Sequence, residues 1–251
     1  MKKLLGILAA TAVFASLAAT ARAQTIVSLQ YQTNSSTLIG TGTAGVVPVS
    51  NWNVATLPYV GPTGTYSLGS LIDSTGAITA FSEATYTFGG YDNGGTSGSA
   101  MTGSDANLFK GFAVGSYSGS GNLTLTLSGL NLAKKYELIT YVGQLFGGNA
   151  TLSGGVAGNQ TYFLKADASL STYTRGTATT AGAAASGNYF SFTEITGTSM
   201  TFTLAQASAS GSALFGFQLI ETVPEPSTCA MMLGGLGMLF AGQRMRRSRK
   251  S

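Results

Sequence analysis

Eight carboxylates are the side chains best suited to acid–base or metal chemistry in the body of this chain: Asp73, Glu83, Asp92, Asp105, Glu137, Asp167, Glu194 and Glu221. Histidine is absent from the sequence, and the single cysteine, Cys229, lies close to the C-terminus. Ser-His-Asp and Cys-His nucleophilic sites, His-ligated zinc and the two-histidine facial triad are therefore excluded. Neither a Ser-x-x-Lys sequence nor a Gly-Lys-Ser/Thr loop occurs, which leaves Ser-Lys catalysis and nucleotide binding without their motifs. Glycoside hydrolysis needs two acids facing each other across roughly 5–9.5 Å. The eight acids are scattered over strand-like and turn-like stretches instead, so a glycoside hydrolase is only the remote alternative and no catalytic residue is expected.

Two loops carry chemistry of another kind. Asp92 and Asn93, followed by Gly94-Gly95, together with Asp105, could offer hard oxygen ligands to a structural Ca²⁺. The spacing matches no EF-hand, and Asp-Asn-Gly-Gly is equally a turn sequence, so no cofactor is expected beyond that candidate. Trp52 between Asn51 and Asn53, and Tyr91 beside Asp92 and Asn93, pair an aromatic face with amide and carboxylate groups, the combination that grips a sugar. These are the candidate carbohydrate contacts. The competing expectation is that a lone tryptophan in a small β-domain fills the core.

The segments that must position these residues alternate apolar and polar side chains. The clearest is Asn122–Ser128, with Leu123, Leu125 and Leu127 on one face and threonines on the other. Residues 25–31, 83–88, 135–142, 160–165, 188–192, 199–204 and 213–220 repeat the pattern with β-branched and aromatic residues. Period-two runs separated by Gly, Ser and Asn predict half-buried antiparallel strands. Gly89-Gly90, Gly94-Gly95, Gly147-Gly148 and Gly154-Gly155 predict turns. Only residues 104–112 hint at a helical turn, and a strand over 108–114 fits them as well. The expectation is an all-β, antiparallel two-sheet sandwich or jelly roll in one domain, residues 24–222.

The charge balance of that domain differs from that of the chain. Of 13 basic and nine acidic residues, three bases fall before residue 24 and five after residue 243, while only Glu225 among the acids lies beyond residue 222. The domain is left mildly acidic, with no basic cluster larger than Lys134-Lys135, which excludes nucleic acid as a partner. It holds no cysteine, so packing and strand pairing must stabilise it without disulfides.

Both ends read as addresses. Met1-Lys2-Lys3, an apolar run from Leu4 to Ala19 and Ala21-Arg22-Ala23 form a secretory signal peptide over residues 1–23, cut by signal peptidase after Ala23. At the other end, Pro224-Glu225-Pro226 precedes an uncharged run, 228–242, and then Arg244, Arg246, Arg247, Arg249 and Lys250. An apolar helix closed by bases is a membrane segment whose positive end stays in the cytoplasm. Fifteen residues span only about 22 Å, short against a hydrocarbon core of about 30 Å, which suits a transient hold better than a permanent anchor.

This tail, residues 223–251, resembles the PEP-CTERM sorting signal of exported bacterial proteins. The resemblance implies recognition by an exosortase, a membrane-embedded cysteine protease, with Pro224, Glu225 and Pro226 as the sorting motif. It implies a transient inner-membrane anchor and delivery to the cell surface or extracellular matrix, in association with exopolysaccharide. Asn51-Trp52-Asn53, Leu71–Gly76, Leu127–Leu130 and Gly216–Ile220 are similar to the exported β-sandwich domains of such proteins, laid out like galactose-binding jelly rolls. That likeness implies a carbohydrate-binding, lectin-like module as the alternative to a purely structural surface protein.

Overall fold

In a computed structural model of the chain, the alternating runs form the strands of two sheets. The structure describes residues 24–33, 39, 42–59, 63–87, 89–92, 99–115, 122–144, 150–206 and 211–222. Thr25–Thr222 is one compact unit. The expected signal peptide with Ala21 and Ala23, the sorting motif Pro224-Glu225-Pro226, the helix 228–242 and the basic end Arg244, Arg246, Arg247, Arg249 and Lys250 lie outside the described residues. So does Asn93. No helix among the described residues is long and apolar enough to cross a membrane.

The first strands in chain order are β1 (Ile26–Gln32), β2 (Asn53–Thr56), β3 (Gly64–Leu68), β4 (Ser82–Thr87), β5 (Gly90–Asp92), β6 (Gly111–Val114) and β7 (Leu123–Ser128). They are followed by β8 (Lys135–Gln144), β9 (Thr151–Val156), β10 (Tyr162–Ala166), β11 (Ser186–Gly187), β12 (Tyr189–Ile195), β13 (Ser199–Gln206) and β14 (Ser212–Thr222). One sheet runs β12-β8-β14-β1-β2, with β6 on β14 and β5 on β6. The other runs β11-β10-β9-β13-β7-β4-β3.

The expected antiparallel architecture needs one correction: both sheets are mixed. β2 runs parallel to β1, and β11 parallel to β10. Parallel neighbours require a long crossover rather than a hairpin, and the loops that precede β2 and β11 supply it. The stretch at 104–112 holds both of its alternatives in succession. A short helix, α1 (Gly103–Leu108), buries Leu108, and β6 follows after two residues. Gly154 and Gly155 are not a turn but lie inside β9. A Cβ on Gly154 would come 2.5 Å from Phe190 Cδ2, so the glycine makes room for a core ring.

Two apolar layers result. Between the sheets, Leu123, Leu125 and Leu127 of β7 and Phe202 of β13 meet Leu29 of β1 and Phe217 of β14. A second cluster covers the outer face of the first sheet, where Trp52, Phe109 and Leu108 pack on Tyr141, Phe215 and Ile220. Strands β1 and β14 are thus buried on both faces, except near their ends. That accounts for the near-continuous apolar run Ala213-Leu214-Phe215, where a strand covered on one side only would alternate.

Candidate functional site

Trp52 sits in the outer layer at 7 % exposure, with its ring 6.2 Å from that of Tyr141. Its indole N–H donates to the Val49 carbonyl at 3.0 Å. Asn53 is buried beside it: its amide donates to the carbonyls of Ser28 (2.9 Å) and Ile72 (2.8 Å), and its Oδ1 accepts from the Ile72 N–H at 2.9 Å. The Asn53 side chain staples β1, β2 and the loop after β3 together, and neither it nor Trp52 presents a surface to a polymer. Asn51 is exposed in the left-handed region (φ 59°), with its amide on the Ser74 carbonyl. The carbohydrate contact expected of Trp52 and Asn53 is therefore replaced by a packing role, because their donors and acceptors are met inside the protein.

Tyr91, half-buried on β5, stacks on Tyr59 (centroids 5.3 Å apart, planes at 29°) and leans on Phe112 at 5.7 Å. Tyr59 is 60 % exposed. The pair makes an aromatic shelf whose inner ring is fixed by the core. Tyr59 escaped sequence reasoning because it follows Pro58 in a stretch with no alternation.

Of the candidate calcium ligands, Asp105 lies on α1 and is engaged. It accepts from Tyr173 Oη at 2.5 Å and from the Gly45 N–H at 3.0 Å. This joins a buried polar group under the 44–49 turn. Gln218 accepts from Tyr141 Oη and from the Val47 N–H, and donates to the Val47 carbonyl. Burial first, and then the neighbouring Asp105 and other acidic groups, hold the Tyr141 hydroxyl far above its ordinary range. The structure does not bring Asp105 into a cluster of three metal-binding side chains, and none exists among the described residues. The Asp92 side chain lies outside the description.

The remaining described carboxylates also have partners. Asp73 accepts from the Thr75 N–H and hydroxyl and from the Ala77 N–H. Slight burial works to raise its pKa, but these bonds outweigh burial and lower it. Glu137 accepts from Ser191, Asp167 from Ser169, and Glu221 pairs with Lys134. Glu194, in the left-handed region (φ 59°) at the β12 bulge, pairs with Lys135. Glu83 is buried at 3 % exposure and accepts from Tyr31 and Thr85.

A broad hollow lies elsewhere, on the outer face of the second sheet. Strand alternation sends leucines inward, and the cross-strand register aligns what faces out. One row runs Thr65, Tyr86, Thr124, Thr203, Gly155; the next runs Ser67, Ala84, Thr126, Thr201. The hydroxyls of Thr126 and Thr201 are 3.2 Å apart. Where β13 meets β9 the rows sink into a trough of about 410 Å³, lined by Ser153, Gly155, Thr161, Thr201, Thr203 and the Asn159 turn. None of its lining residues is ionisable. Gly155 keeps it open, since a Cβ there would come 2.9 Å from Thr161 Oγ1. Tyr86, 46 % exposed, stands on the same face. Beyond the turn a hollow of about 220 Å³ leads to Glu194.

This face of the second sheet is thus a neutral, hydroxyl-lined surface. What decides the protein's destination is its C-terminal end. Residues 222–250 carry a PEP-CTERM protein-sorting motif. The match takes in Pro224-Glu225-Pro226, the apolar run and the basic residues, and such a motif implies export, sorting at the membrane and processing by an exosortase. No curated protein matches the chain.

Among solved structures, the domain is similar to a GH26-CBM35 β-(1,4)-mannanase of Podospora anserina, at 15 % identity and a TM-score of 0.30, over 55 % of this chain and 28 % of that one. It is similar to the module TmCBM61, solved in complex with β-1,4-galactotriose (11 %, 0.26, 45 % and 70 %). A third likeness is the CBM36-1 domain of a multidomain xylanase from the hindgut metagenome of Trinervitermes trinervoides (13 %, 0.26, 43 % and 88 %). The chain spans less than a third of the mannanase. The central domain resembles carbohydrate-binding β-sandwich domains at weak identity. At these TM-scores no activity carries over.

Proposed function

We propose that the protein is an exported, non-catalytic component of the cell surface or extracellular matrix, associated there with neutral exopolysaccharide. The sorting motif supports the destination. The observation that carries the partner is the uncharged trough across β9 and β13, because a neutral polyhydroxylated chain can exchange hydrogen bonds with its hydroxyls without stranding a charge. The engagement of the described carboxylates inside the protein favours binding over hydrolysis, and no cofactor is needed for such an association. A lectin-like second reading is favoured by the exposed Tyr59 stacked on Tyr91, a preformed face for the C–H side of a sugar ring.

The test is to fractionate the producing cell and its exosortase-deficient counterpart, following the chain by mass spectrometry of its C-terminus. The reading expects a shortened chain that co-extracts with matrix polysaccharide in the first strain and an intact, membrane-bound chain in the second. An intact chain confined to the inner membrane of both would overturn it. On affinity gels of neutral galactomannan, Gly155→Val should weaken retention of the protein several-fold by filling the trough, whereas Tyr59→Ala should do so if the aromatic shelf is the contact.

A further inference from the structure

Each sheet ends in an edge strand, β2 in the first and β3 in the second, and residues of both strands line one cavity. It measures about 60 Å³ and is lined among others by Ala55, Leu57, Tyr66, Leu68 and Glu83, with room for water. Glu83 reaches it from β4. A buried acid ordinarily has a cation beside it; Glu83 has hydroxyls. Tyr31 of β1 donates to its Oε1 at 2.9 Å, Thr85 donates to the same oxygen, and Tyr31 Oη lies 2.6 Å from Thr85 Oγ1.

Three oxygens in mutual hydrogen-bonding contact make three links. A carboxylate leaves only the two hydroxyl hydrogens to fill them. A protonated carboxyl supplies the third once one hydroxyl turns towards the other: the carboxyl then donates to Tyr31, Tyr31 to Thr85 and Thr85 to the carboxyl, or the same ring in reverse, with one hydrogen on each side. We propose that Glu83 is a proton-operated latch on this edge of the sandwich: with its proton it ties β1 of one sheet to β4 of the other, and without it the β2–β3 edge loosens.

The surroundings agree. Tyr31 faces Glu83 from β1, Thr85 lies two residues along β4, the Leu68 N–H bonds it from β3, and Tyr66 lines the shared cavity. Ala55 and Leu57 come from β2 and the residue that follows it, and Leu127 is its register partner on β7. No lysine or arginine stands among these groups. Burial, partly offset by the bonds from Thr85, Tyr31 and Leu68, raises the carboxyl above its ordinary value of 4.5. A folded-state value above the unfolded one gives stability that is complete below 4.5 and is lost as pH rises through the folded value.

The experiment compares the thermal midpoint of the full chain, in mild detergent, with that of Glu83→Gln as pH rises from 4.5 towards neutrality. Within the window the wild-type folded-to-unfolded ratio should fall by up to about tenfold per pH unit, or roughly 3–5 °C in midpoint. Glu83→Gln should lack that component, and the protection of the Leu68 amide, corrected for the intrinsic rise of exchange with pH, should fall with pH only in the wild type. Equal pH slopes in the two proteins would overturn the latch. If Glu83→Gln does not fold, infrared spectroscopy of the unaltered protein decides. A protonated-carboxyl C=O band that persists after the exposed acids have ionised supports the latch, and its absence refutes it.

Discussion

Replacing Asn53 with alanine separates a structural asparagine from a ligand-binding one. The side chain makes three buried or part-buried hydrogen bonds, to the Ser28 carbonyl and to both backbone groups of Ile72. Each such bond contributes about 0.5–1.5 kcal/mol net, and a buried partner left unsatisfied costs about 1–3 kcal/mol. Water can reach Ile72, which is only half-buried, so the full penalty falls mainly on Ser28. The loss should be about 3 kcal/mol, or roughly 6–12 °C in thermal midpoint for a domain of this size. Urea unfolding followed by the fluorescence of Trp52, the only tryptophan, should show a lower midpoint at an unchanged m value. Trp52 emission in the folded baseline should stay blue, and retention on galactomannan should match the wild type once corrected for the folded fraction. A stability change below about 0.5 kcal/mol combined with lost retention would refute the packing role and return Asn53 to the ligand site.

Other outcomes follow from the same structure. Gly216→Ala should cost at least about 2 kcal/mol, because its Cβ would sit 2.2 Å from the Leu29 carbonyl oxygen of the adjoining strand, where backbone cannot yield; equilibrium unfolding measures it. Lys135→Ala should change stability by less than about 0.5 kcal/mol, since both members of its pair with Glu194 are well exposed. Changing Pro224, Glu225 and Pro226 together to alanine should leave the C-terminus uncut and the protein with the membrane fraction, read by immunoblot and mass spectrometry.

The turn carboxylates and the buried Glu83 respond to pH in opposite directions. Asp73 and Asp167, whose carboxylates accept turn hydrogen bonds, have lowered pKa values. Their contribution is present above the unfolded value and fades as pH falls through the folded one. Glu83 runs the opposite way. The two trends meet in mild acid, and Glu83→Gln removes only the alkaline limb.

Much of the protein was legible in local patterns. The C-terminal end declares itself by contiguous residues, and the Pro-Glu-Pro tail needs no fold to be read. Strands β7 and β13 were visible because a half-buried strand writes its period into a few adjacent side chains, and β1 and β14, buried on both faces, because apolar, β-branched and aromatic residues crowd them. Strands β2, β3 and β9 were not, because prolines, glycines and serines interrupt that period and long-range pairing supplies the missing preference. Trp52 and Asn53 looked like a sugar contact because sequence shows which donors they own but not that Val49, Ser28 and Ile72 stand ready to meet them. The Thr124–Thr203–Gly155 row needed the register of three strands, and Glu83 became exceptional only when Tyr31, 52 residues away in the chain, folded over it. Sequence by itself determined the strand chemistry and the address. Tertiary structure decided which polar groups are satisfied inside and which remain for a partner, because satisfaction is a property of pairs brought together from distant parts of the chain.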